Sequence, residues 1–422
     1  MIFKRTKYLD ELYSALENEK LIIIYGARQV WKTTLLRVLL EDDTLDVTKK
    51  YINFDDIYDK KFKTKQDFIN YIAFNYEIDF FNEGILFLDE IQTIDNIEQI
   101  LKSLYDDIDI KIKIIATWSG LWQIKKLGSS LVWRVKQIWV YPFSFYEFLE
   151  YKGIKVDFYT DWKYKDFMFD KIEFLLQEYY LYGWYPAVVL EKTKAQKINK
   201  ISEIIDMYLK KDIYFFLKEK ELVSFKKLFS YLAHNISSGL NISKFSSYLG
   251  INRKRVEYYL EILEKSFLLY NVFPYYNDTR KEYSKQSEFF LNDTGIINYF
   301  RNNFNFLEFD WNIVENFTYL ELLKHKTMFS DEIKTYNKLN WSEIDFIYCY
   351  KQWLVLPIEV KMKDNDVVPK IFSSFEKDYS DKIKYFIRTS TKWYSQSILE
   401  SKKVQILPFW MVWKSIDTQF WE

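Results

Sequence analysis

Glycine is what this chain most conspicuously lacks. It has 9 glycines in 422 residues, where average usage of about 7% would give roughly 30. Tight turns and phosphate loops that depend on a missing side chain should therefore be rare, unless other residues stand in their places. Cysteine is nearly absent: Cys349 has no second thiol in the chain, which excludes an internal disulfide, and with only His234 and His325 beside it a Cys/His zinc centre is excluded too. A charge imbalance is missing as well. Lys+Arg 60 against Asp+Glu 60 leaves no net field, so a nucleic-acid partner must be met by a local basic patch. No apolar run approaches the roughly 18 residues that span a bilayer, so no membrane segment is expected. The basic start Met1 to Arg5 runs into charged helix rather than a leader's apolar core, and a cytoplasmic location is expected.

What is present describes a globular protein long enough for two to four domains, 49% hydrophobic and 28% charged. Tryptophan is abundant, 14 residues, and several stand where a residue without a side chain is the physical expectation. These are Trp31 in a loop, Trp118 after a strand, Trp133 beside Arg134, Trp184 between Gly183 and Tyr185-Pro186, and Trp341 in a strand-entry turn. Two explanations stand. Either these are glycine positions whose UGA codons, read as glycine in some bacterial lineages, were translated as tryptophan, or the tryptophans are genuine and the chain is degenerate at these sites. The codon under Trp31 separates them, since UGG there removes the first.

The chemistry begins at Leu21 to Tyr25, a short apolar strand entering Gly26-Ala27-Arg28-Gln29-Val30-Trp31-Lys32-Thr33-Thr34, with helical spacing from Lys32 to Leu40. Strand, loop and helix are the context of the phosphate-binding pattern G-x-x-x-x-G-K-[ST], in which backbone N–H groups wrap a nucleotide's phosphates. Trp31 occupies the pattern's second glycine. An indole there is expected to fill the cradle, and the printed loop is expected to bind ATP poorly. A second strand, Ile85 to Leu88, ends in Asp89 and Glu90, the former placed to hold Mg2+ and the latter to polarise an attacking water. A third, Ile110 to Thr117, ends in Thr117 and Ser119, candidate sensors of the γ-phosphate. Three strands ending in polar chemistry at one edge predict a parallel α/β sheet with its ligand at the carboxyl ends. Lys32, Glu90 and Arg134 are the candidate catalytic residues, and Thr33 and Asp89 the candidate metal ligands.

Beyond residue 150 helical spacing dominates, and then Phe225 to Asn235 and Ile242 to Val256 read as helix, turn and helix, with Arg253, Lys254 and Arg255 opening the last helix. That predicts a winged helix, its wing around Asn277-Asp278, and candidate contacts to DNA or RNA. In the last hundred residues Asp345 precedes a strand in which Glu359 and Lys361 share a face. Asp345 and Glu359 are a candidate magnesium pair and Lys361 a candidate for orienting water, with Glu321 or Glu315 completing the cluster. This arrangement resembles the PD-(D/E)xK nuclease pattern. Boundaries are expected at 1–150 for a P-loop ATPase domain, 151–220 for a helical lid or linker, 221–300 for the winged-helix region and 301–422 for the nuclease-like domain.

Taken together, Tyr25 to Thr34, Leu86 to Gln92, Ser130 to Arg134 and Pro142 to Phe148 resemble the AAA+ P-loop ATPases of bacteria and archaea that carry a C-terminal domain of unknown function, number 4143. Later signposts are Tyr182 to Pro186, Phe290 to Gly295, Val314 to Asn316, Glu343 to Phe346 and Ile358 to Lys361. The resemblance implies ATP and Mg2+ as cofactors, Lys32 as the phosphate lysine, Thr33, Asp89 and Glu90 in the roles above, Arg134 as a γ-phosphate arginine and a homo-oligomer. It also implies glycine where this chain has Trp31, Trp118, Trp133 and Trp184. Two functions are open: an ATP-hydrolysing machine acting on nucleic acid, or a nucleotide-regulated binding protein whose nuclease-like domain does not cleave.

Overall fold

A computed structural model describes residues 3–416 apart from 58–61, 121–132, 155–164, 214–216, 218, 277, 279, 281, 283–284, 327, 329, 339–341, 352, 366, 392–394 and 400–401. Trp341, Asn277 and the stretch Ser130 to Val132 lie outside the described residues. Contacts divide the chain into two compact units, residues 1–143 with 265–267, and residues 144–264 with 268–422.

In the first unit, helix α1 (Thr6–Asn18) precedes β1 (Leu21–Tyr25), α2 (Lys32–Leu40), β2 (Thr48–Asn53), α3 (Lys65–Tyr76), β3 (Gly84–Asp89), α4 (Ile97–Asp106), β4 (Lys113–Trp118) and β5 (Lys136–Trp139). The strands form one sheet in the order β2-β3-β4-β1-β5, every pair parallel. β1 and β3 are buried along their whole length, which is why they read as continuous apolar runs instead of alternating. Helix α3 starts on a capping box, Thr64 accepting from the Asp67 N–H while Asp67 accepts from Thr64. The sheet's carboxyl edge carries the P-loop, Asp89 and Thr117.

The second unit opens with helices α5 (Phe145–Tyr151), α6 (Lys165–Tyr182), α7 (Pro186–Val189) and α8 (Lys194–Tyr208). Then follow α9 (Glu219–His234), β6 (Ser238–Gly239), α10 (Ile242–Leu249), α11 (Arg253–Lys265), β7 (Leu269–Val272) and β8 (Glu288–Leu291), the three strands pairing antiparallel in the order β6-β8-β7. After α12 (Thr294–Arg301) and α13 (Trp311–Lys324) come β9 (Glu332–Lys338), β10 (Ser342–Tyr350), β11 (Leu354–Glu359), α14 (Lys370–Tyr379), β12 (Tyr385–Ser390), β13 (Ser395–Leu399) and β14 (Lys402–Pro408). They build a six-stranded sheet ordered β13-β14-β12-β11-β10-β9, in which α14 carries the crossover between the parallel pair β11 and β12. Among the described residues no helix is long and apolar enough to cross a membrane.

A buried polar hub fastens α6 to α12 and α13. Asp293 accepts from the N–H groups of Trp184 (2.8 Å) and Ile296 (3.0 Å). A Cβ on Gly183, whose φ is +74°, would stand 2.1 Å from that carboxylate, so this position admits only glycine. Trp184 itself is fully buried, donates from Nε1 to the Asn292 carbonyl at 2.8 Å, and lies under the Lys324 ammonium at 3.8 Å.

Candidate nucleotide site and a second acidic cluster

The P-loop turns where β1 has no room left. A Cβ on Gly26 would meet the Val140 carbonyl oxygen at 2.2 Å, so glycine is fixed here by backbone approach. Gln29 (φ 59°) and Trp31 (φ 71°, ψ 33°) are both left-handed. Trp31 is the N-cap of α2 and gives it no side-chain hydrogen bond, so the first amides of the helix keep the orientation that suits an anion. Lys32 is buried and its ammonium donates to the carbonyls of Gly26 (3.0 Å) and Ala27 (2.8 Å). The Trp31 ring lies edge-on to Phe143, centroids 5.1 Å apart, and Phe143 in turn meets Phe3 and the Arg5 guanidinium. Arg5, buried, donates to Val30, Tyr141 and Pro142 carbonyls and braces the loop from behind. Sequence reasoning missed it, since a lone arginine near the start carries no motif.

Asp89 collects three hydroxyls. Its Oδ2 accepts from Thr33 (2.7 Å) and Tyr51 (2.8 Å), and its Oδ1 from Thr117. Tyr51 was not a sequence candidate. Only the pairing of β2 with β3, Asn53 opposite Asp89 and Tyr51 opposite Phe87, brings its phenol there. Burial, and then the neighbouring Asp89 carboxylate, push that phenol well above its ordinary value, so it acts as a donor. Glu90 adopts φ 57° and donates its N–H to Thr117 Oγ1 at 2.9 Å. Its carboxylate accepts from Ser119 Oγ (3.0 Å) and Gln92 Nε2, with Arg28 4.0 Å away. The predicted loop, acids and sensors thus meet at one edge. A threonine hydroxyl against an aspartate carboxylate is a set of hard oxygen donors that fits magnesium, and the Gly26 turn with the uncapped α2 fits phosphate.

Arg134 does not join them. It pairs through Nε with Asp106 at 2.6 Å and stacks on the exposed Trp133 at 3.6 Å. It precedes β5 and Asp106 ends α4, so both lie at the amino edge of the sheet, a strand length from the loop. Within one chain Arg134 therefore stands apart from the loop and the acids.

In the second unit Phe346 pairs with Ile358, which sets Asp345 beside Glu359, and the register of β9 on β10 shifts between Ile344 and Ile347. Such a bulge re-aims a side chain, and here it turns Asp345 inward, where Oδ2 accepts from the Val360 N–H at 2.6 Å. Burial, and then Glu359, push the Asp345 carboxyl well up, and burial, then Asp345, does the same to Glu315. Lys361 pairs with Glu359 at 2.6 Å and rests 4.8 Å over the Trp311 ring. Glu315, Asp345, Glu359 and Lys361 therefore lie near one another in the second unit.

Glu321 does not. It is wholly buried with Lys324 (2.9 Å) and Tyr179 (2.9 Å), and accepts from the Phe145 N–H, because it sits almost two turns beyond Glu315 on α13. Arg255 pairs with Glu221 and packs on Tyr258 and Tyr259, while Arg253 and Lys254 are exposed.

Residues 18–149 match the family described as an AAA domain, 173–306 the domain of unknown function DUF8612, and 312–411 the domain of unknown function DUF4143. An uncharacterized protein of Haemophilus influenzae is 28% identical over 360 residues, covering 82% of this chain and 84% of its own. One of Methanocaldococcus jannaschii is 25% identical over 429 residues, covering 97% and 92%. Among solved structures, a Walker-type ATPase of Pyrococcus abyssi aligns with a TM-score of 0.47 at 14% identity, over 71% of this chain and 96% of its own. Drosophila ORC bound to DNA aligns at 0.33 and 12%, over 72% and 96%.

Proposed function

From a chain that joins an AAA domain to a C-terminal DUF4143 domain, we propose an ATP-hydrolysing protein that couples its nucleotide state to a nucleic-acid-binding and nuclease-like module. One observation carries the reading: Asp89 gathers Thr33, Tyr51 and Thr117 while Glu90 is held alongside by Ser119. Bound Mg2+ and ATP would supply the electrophilic phosphorus and neutralise its charge. Lys32 would exchange its two carbonyl partners for phosphate oxygens, Thr33 and Asp89 would hold the ion, and Glu90 would take a proton from the attacking water. An arginine role for Arg134 requires a second copy of the chain, which favours a homo-oligomer.

The element order helix, β6, helix, helix, β7, β8 supports a winged-helix reading, in which Arg253 and Lys254 would meet phosphates. The order α13, β9, β10, β11, α14, β12 with Asp345, Glu359 and Lys361 suits the nuclease-like reading. The second reading, a regulatory binder that does not cleave, is favoured by one contact: Lys361 is already engaged by Glu359 and Trp311.

ATP turnover measured with and without DNA tests the first reading. We expect Trp31→Gly to tighten ATP binding about tenfold or more, since it removes the side chain that stands where the loop's amides meet phosphate. Glu90→Gln in that background should abolish DNA-stimulated turnover while ATP still binds. Turnover that persists in Glu90→Gln overturns the assignment, and tight binding with negligible turnover in both selects the regulatory reading.

A further inference from the structure

Acidic residues vanish from one stretch of the second unit. From Leu222 to Val256 there is none, whereas Lys226, Lys227, Lys244, Arg253, Lys254 and Arg255 all fall within it, in a chain whose acids and bases number 60 each. This is the local basic patch that a neutral chain needs to hold a polyanion. The stretch covers most of α9, all of α10 and the start of α11. Arg255 is taken up by Glu221, but Lys227, Lys244, Arg253 and Lys254 are exposed.

Within that patch two rings make a ledge. Tyr231 of α9 and Tyr248 of α10 meet with centroids 4.5 Å apart, and the buried Phe245 meets Tyr231 edge-on at 5.2 Å. Tyr248 is nevertheless 63% exposed. Its neighbours fix where the ring stands and leave much of it open to a further partner. Lys227 lies one turn before Tyr231, and Lys244 one turn before Tyr248, each on its tyrosine's face of the helix. Exposed ammonium groups therefore flank the aromatic pair from both helices.

A basic surface calls for phosphate, and an open ring calls for another flat π-face. An unpaired nucleic-acid strand presents both along one backbone, whereas in a duplex the base faces are covered by their stacked neighbours and a polyacidic peptide has none. We propose that Tyr231 and Tyr248 form a base-stacking platform for single-stranded nucleic acid, with Lys227 and Lys244 taking the flanking phosphates. The inference rests on the nucleic-acid reading of the α10 and α11 region and narrows its ligand to unpaired strand.

Fluorescence anisotropy of labelled oligo-dT on the full chain, in EDTA so that no strand is cut, tests this against the same strand made abasic and against the duplex of oligo-dT with oligo-dA. Oligo-dT should bind about tenfold tighter than the abasic strand, as one stacked base provides. Tyr248→Ala should remove that difference, and Tyr248→Phe, which keeps the ring, should preserve it. The double variant Lys227→Ala/Lys244→Ala should weaken both strands and lower the slope of log affinity against log salt by about 1.4, with the base-dependent difference intact. A merely structural role for Tyr248 would weaken both strands alike in Tyr248→Ala, and that result overturns the platform. Duplex bound more tightly than oligo-dT overturns it too, while leaving the nucleic-acid reading in place. Absence of binding to all three probes overturns that reading and the platform with it.

Discussion

At the scale of single residues, the tryptophans that occupy expected glycine positions do not behave alike. Trp31 alone among the four described ones has a positive φ, where glycine costs nothing and an indole costs about 1–2 kcal/mol. Trp118 is buried with an indole N–H that finds no acceptor, a loss of about 1–3 kcal/mol. Trp184, by contrast, is packed and hydrogen-bonded, and Trp133 is largely exposed. The ring of Trp31 leans on Phe143. Asp293 gives a pH prediction. Burial raises its carboxyl from 3.8 to about 7, against the opposing pull of its backbone N–H partners. The native protein therefore keeps a proton that the unfolded chain releases above about pH 4. Its contribution to stability is complete below that point and is lost as pH rises toward 7, by on the order of 4 kcal/mol at most. Thermal melting followed from pH 5 to 8 should show a falling midpoint, and Asp293→Asn should flatten the fall whatever its absolute cost. An unchanged slope in the variant would place the titrating group elsewhere.

At the scale of elements, the strands and helices around the P-loop were legible because each carries its signal locally. β1 and β3 are uninterrupted apolar runs, α2 follows with helical spacing, and β3 ends in the acidic pair. The helix pair α10 and α11 was legible as helix, turn and helix, and the structure adds Asn241 as a cap accepting from the Lys244 N–H and Gly250 at a left-handed C-terminus. Which of the three basic residues on α11 is available was not legible, because Arg255 meets Glu221, 34 positions away and on another helix. If α11 meets DNA through phosphates, the double variant Arg253→Ala/Lys254→Ala lowers the slope of log affinity against log salt by about 2. Arg255→Ala should leave that slope alone and cost roughly 1 kcal/mol or less in stability, as expected for a partly exposed pair. Fluorescence anisotropy across a salt series distinguishes them, and equal slopes in all three proteins would remove α11 from the interface.

At the scale of the whole molecule, the chain's two compact units, each with its own core, predict two transitions in calorimetry. Nucleotide with Mg2+ should raise the transition of residues 1–143 alone, since all of its candidate ligands lie there. At a hundredfold excess over Kd the gain is about 2.7 kcal/mol. A single transition that moves as one would show instead that the units unfold together.

The sequence by itself determined the parallel sheet and its loop-and-acid edge, because strand burial, helix spacing and phosphate chemistry are written within a few residues of one another. It also set the scarcity of glycine and thiol that bounds the chemistry. Tertiary structure alone decided the partners that come from far along the chain: Tyr51 on Asp89, Arg134 on Asp106, and Glu321 withdrawn to Lys324 and Tyr179. Strand register and helix packing set those distances, and no local pattern of residue types encodes them.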